Sequence, residues 1–102
     1  MAHQINHLAE LQAALRQALN CEVVHRQTAP VHETVEGHTV WKGDVEVFDL
    51  SGHEQATRCF AWLHHEQNKN PRFVAVLEKS YVNTPEKAVK SAIFFDIQRS
   101  QA

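Results

Sequence analysis

Thr39–Leu50 (TVWKGDVEVFDL), Ala56–His65 (ATRCFAWLHH) and Arg72–Lys79 (RFVAVLEK) are dense in Val, Phe, Trp and Thr, the residues that suit a pleated, half-buried surface. Read at period two, Trp41, Val45 and Val47 share one face of the first stretch, and Phe48 and Leu50 the other. In the second, Cys59, Ala61 and Leu63 alternate with Phe60 and Trp62. In the third, Phe73, Ala75 and Leu77 alternate with Val74 and Val76. Three strands of an antiparallel sheet follow, apolar on both faces. Ser51-Gly52-His53-Glu54 and the polar run 65–71 (HEQNKNP) connect them, and the second is the expected mobile loop. Gly43 inside the first strand predicts a bulge or the close approach of another backbone.

Outward from this centre, residues 4–20 predict a helix. Ile5, Leu8, Leu11, Leu15 and Leu19 recur at three- and four-residue steps, and Asn20 suits the left-handed conformation that ends helices. Residues 21–27 (CEVVHRQ) predict a strand broken at Pro30, which lacks an amide donor and pushes Ala29 away from the helical region. Residues 31–36 (VHETVE) then form an edge strand or extended arm ending in a turn at Gly37. At the other end, Asn83-Thr84-Pro85-Glu86 starts a second helix. Thr84 is its N-cap, and Ala88, Val89, Ala92 and Ile93 follow at helical spacing to about Gln98.

The expected fold is therefore α+β: one domain over residues 1–102, in the order α-β-β-β-β-α or α-β-β-β-α. It has two layers, with both helices on one face of a sheet of three to four strands. The other face, carrying Phe48, Phe60, Trp62, Val74 and Val76, is then left for a partner, and a two-fold homodimer is the default. The competing expectation is that Cys21–Val40 folds across this face and completes a monomer.

A formal charge of -2 gives no electrostatic reason to expect a nucleic-acid or membrane surface as partner. Eight histidines make that charge sensitive to mildly acidic pH, since full protonation would move it from -2 to +6 (-2 plus 8). No apolar run approaches the roughly 20 residues that cross a bilayer. The polar start of the chain predicts a cytoplasmic protein with Cys21 and Cys59 as reduced thiols.

Candidate chemistry is sparse, and no cofactor or metal is expected. His3 and His7 are spaced i, i+4 but have no third ligand nearby. His64 and His65 are adjacent in a strand and point to opposite faces, with Glu66 following. Ser51-Gly52-His53-Glu54 with Cys59 is the nearest approach to a Cys–His nucleophile, yet Cys59 has the mid-strand position of a core thiol. Asp44, Glu46 and Asp49 face Arg58 and Arg72 on neighbouring strands, which predicts cross-strand ion pairs.

The element order, with Pro85-Glu86-Lys87-Ala88-Val89-Lys90 opening the last helix, is similar in outline to the double-stranded RNA-binding domain. That resemblance implies phosphate contacts from the second helix, together with the first helix and a sheet loop. Three functional expectations follow. The leading one is a non-enzymatic, self-associating interaction module. The second is nucleic-acid binding through Lys87, Lys90, Arg99 and the 65–71 loop. The third is a small-molecule or enzymatic site between the sheet and the 31–37 arm, using His32, Glu33 or His53.

Overall fold

The computed structural model describes the backbone of residues 2–64 and 72–101 and the side chains of residues 8–64 and 72–93. Its elements are α1 (Ala2–Leu19), β1 (Glu22–Val35), β2 (His38–Ser51), β3 (Arg58–His64), β4 (Arg72–Leu77) and α2 (Pro85–Gln101). The four strands form one antiparallel sheet in the order β1-β2-β3-β4. This is the α-β-β-β-β-α order and the α+β class expected. Among the described residues, no helix is long and apolar enough to cross a membrane.

The layering differs from the expectation, because the helices lie on opposite faces of the sheet. Leu11 and Leu15 of α1 pack with Val23, Phe48, Leu50, Cys59 and Ala61. Ala88 and Val89 of α2 pack with the alternate residues Val45, Val47, Phe60 and Trp62. Successive strand residues point to opposite sides, so these are two cores separated by the sheet. The physical reason lies in the strands: an apolar set on each face needs its own cover. Both helices on one side would leave one core in water.

Local chemistry sets the element ends. Asn20 takes φ 53° and its amide donates to the Arg16 carbonyl at 2.9 Å, ending α1 as a left-handed cap. Gln12 Nε2 donates to the Val23 carbonyl at 2.7 Å, fastening α1 across the start of β1. Thr84 Oγ1 accepts from the Lys87 amide at 3.2 Å, which is the N-cap read from the sequence. Glu36 (φ 50°) and Gly37 (φ 82°) form the two-residue turn between the paired Val35 and His38, the left-handed pair a tight hairpin requires.

Pro30 does not break the chain. β1 runs through it, with Pro30 opposite Asp44 on the terminal strand, where a missing amide can face outward without cost to the ladder. Residues 21–40 therefore neither split into a strand and an arm nor fold over a sheet face. They are part of the β1–β2 hairpin. The Gly43 signal marks a close approach by a side chain: Trp41 folds over it, and a Cβ there would sit 3.1 Å from the ring.

Candidate interaction surface

The two terminal strands of the sheet end it in different ways. β1 carries Pro30 and a bulge that leaves Arg26 unpaired between His25 and Gln27, and charged side chains recur along it. These are the devices that protect a sheet edge from further pairing. β4 has neither proline nor bulge, and no charged residue between Arg72 and Glu78. Among the described residues, no strand pairs with its outer side.

Beside β4, on the α2 side, lies a groove of about 520 Å³. Trp62, Val74 and Val76 form its floor, with Trp41, Ala92 and Ile93 along its walls. Trp41 and Trp62 meet edge to face with ring centroids 5.7 Å apart, which fixes the deep end. His64, Arg72 and Lys79 also line it, whereas among the described residues no Asp or Glu does. Tyr81 borders it at 70% exposure. On the opposite side of the same strand Phe73 is 37% exposed. Among the described residues, the end of the sheet is therefore apolar on both faces and pairs with no further strand.

This arrangement changes the residues available for contact. Phe48, Phe60 and Trp62 are at most 3% exposed within the chain itself. Phe48 is opposite Cys59 and lies under α1, on the other face from Phe60 and Trp62. The single open sheet face expected to carry all three does not form. Val74 and Val76 keep partial exposure, and Phe73, Ala75 and Tyr81 join them. The sequence marked Val74 and Val76 by their alternation. The groove itself depends on how α2 sits against β4, which no local pattern states.

The other candidate groups are scattered or already engaged. His32 bonds Thr39 Oγ1 at 2.7 Å beside the hairpin turn. His53 Nδ1 accepts from the Gln55 and Ala56 amides at 3.1 and 3.2 Å, shaping the β2–β3 connection. His32 faces Lys42 and His53 follows Ser51. Nine steps along β2, from Lys42 to Ser51, separate these positions, about 30 Å at strand spacing. His53 thus stands apart from the 31–37 segment, while His32 and Glu33 lie on it.

Burial, partly offset by a hydrogen bond from the Val76 backbone, pushes the Cys59 thiol up to about 12, so it stays protonated at neutral pH. Cys21 and Cys59 are both free. Among the described residues no group of three or more His, Cys, Asp or Glu side chains could hold a metal. The side chains of His3, His7 and Arg99 and the whole of 65–71 lie outside the described residues.

Lys90 Nζ stands 3.9 Å from Glu33, and Lys87 Nζ donates to Asn83 at 3.3 Å. With α1 and α2 on opposite sides of the sheet, the nucleic-acid reading gains no shared helix surface. Of the expected ion pairs, Arg58–Asp49 is present across β2 and β3 at 3.8 Å.

One polar cluster escaped the sequence reading. Glu46, 8% exposed, accepts from His25 Nε2 at 2.8 Å and from Thr28 Oγ1 at 2.5 Å, both on its Oε1. His25 and Thr28 have opposite parity, so plain alternation would separate them. The Arg26 bulge puts both on the Glu46 side. The cluster gives a buried carboxylate its partners and ties β1 to β2.

No protein-family model matches this chain, and no curated protein or solved structure matches it. The functional reading rests on the surface alone.

Proposed function

We propose that this chain is a non-enzymatic protein-interaction module that self-associates through β4 and the groove beside it. The observation that carries this reading is the coincidence of two features: a terminal strand without edge protection, and an apolar groove along the same strand. Such an edge supplies main-chain hydrogen bonds, and the groove supplies side-chain burial. Free Cys21 and Cys59 support a cytoplasmic setting. Sedimentation velocity from low to high micromolar concentration tests the proposal. A concentration-dependent shift from one chain to two is expected, and a strict monomer throughout contradicts it.

A second reading is favoured by the groove's size. At about 520 Å³ it falls within the range of small-molecule pockets, about 300–1,000 Å³, and its apolar lining suits a hydrophobic ligand. Trp41 and Trp62 would report occupancy through their fluorescence. Saturable quenching by an apolar probe in a chain that stays monomeric favours this reading over assembly.

A further inference from the structure

Resting on the interaction reading above, we infer that the occupant of the β4 edge is a second copy of this chain. The two β4 strands pair antiparallel about Ala75, so that two four-stranded sheets become one continuous sheet.

A closed pair of identical chains requires a two-fold axis. Only an axis normal to the sheet sets two copies of one strand side by side and antiparallel. That axis keeps α2 on the same side in both copies, so directly opposite residues must share parity. This leaves few registers for a strand of six residues.

Centring on Ala75 places Val74 of one copy opposite Val76 of the other, on the groove side. It places Phe73 opposite Leu77 on the α1 side, and Arg72 opposite Glu78 just beyond the end of the strand. Apolar residues meet apolar residues on both faces, and a cation meets a carboxylate at each end. Glu78, which Arg58 already approaches at 3.6 Å, would then lie between two guanidinium groups.

Centring on Val74 sets Arg72 against Val76. Centring on Val76 sets Glu78 against Val74 and Lys79 against Phe73. Both set a charged side chain opposite an apolar one across the seam, where the Ala75 register sets opposite charges together. The self-complementarity is therefore specific to Ala75, itself exposed and small enough to stand on the axis facing its own copy.

Disulfide trapping tests this in a Cys21→Ser background, with Cys59 left in the core. In the proposed register the two position-75 Cβ atoms are about 5 Å apart, close enough for a bridge after small adjustment. The two position-73 residues are displaced by about 13 Å along the strands, beyond reach. Under a mild oxidant Ala75→Cys is expected to shift to twice the chain mass, reversibly with reductant, while Phe73→Cys stays at one. If the parent chain associates by sedimentation but position 75 fails to bridge, or position 73 bridges equally well, the register is wrong while the interaction reading stands. If the parent is a strict monomer and neither variant bridges, both fall.

Discussion

β1 and β4 are both terminal strands of the same sheet, yet they meet solvent in opposite ways. β1 is fourteen residues long and is interrupted by a bulge and by Pro30, with Val23 and Val31 its only buried side chains. β4 is six residues long, unbroken, and apolar from Phe73 to Leu77. Length would make β1 the greater hazard for unwanted pairing, and it carries the protection. Among the described residues the shorter edge pairs with no further strand and lies beside a groove. The contrast teaches that an open edge is informative when the same sheet shows how the other one is closed.

The largest expected effect comes from charging the bare edge. Val74→Lys introduces an ammonium on the groove floor, and two-fold symmetry places it in the contact twice. The dissociation constant of the assembly is expected to rise by roughly a hundredfold or more, about 3 kcal/mol. Sedimentation equilibrium reads this directly, and an unchanged constant would move the contact elsewhere.

A second effect separates the two halves by pH. Above about pH 9, the ordinary thiol value, unfolded chains lose the Cys59 proton while folded chains hold it up to about 12. Unfolding then releases a proton, so stability falls as pH rises, by about 1.4 kcal/mol per pH unit across that window. Cys59 lies between Phe48 of β2 and Leu77 of β4, so the loosening should start at β3. Chemical denaturation of the parent and Cys59→Ala between pH 8 and about 11 should show the alkaline slope reduced in the variant. Equal slopes would mean the thiol is not held protonated by burial.

A smaller effect lies on the closed side. Glu46→Gln replaces two charge-assisted hydrogen bonds from His25 and Thr28 with weaker ones. It should cost about 1–2 kcal/mol in thermal unfolding and leave the assembly constant alone. Smallest of all, Pro30→Val restores an amide to β1 without removing the Arg26 bulge. Monomer stability should change by less than about 1 kcal/mol, with some gain of species larger than the dimer in light scattering. No larger species would show that the bulge and the charges are sufficient protection.

Much of this fold was legible in the chain. The alternation of Val47 with Phe48 and of Phe60 with Ala61 matches the two cores, and Thr84 and Asn20 cap their helices as read. What could not be read was the choice of face. The stripe of Leu11 and Leu15 states that α1 packs on something without naming the side, and Ala88 with Val89 are equally silent for α2. Assigning both helices to one face grouped Phe48 with Phe60 and Trp62, which the ladder separates. Pro30 misled for a different reason: its backbone rule forbids a central strand, and β1 is terminal. The Glu46 cluster was hidden because one unpaired residue, Arg26, reverses the parity on which face assignments depend.

Hydrogen exchange at two chain concentrations tests the contrast between the edges most directly. The outward amides of β4, those of Ala75 and Leu77, are predicted to slow markedly between low and high micromolar chain, while those along β1 keep one rate. Concentration-independent exchange in β4, or slowing confined to β1, would contradict the account.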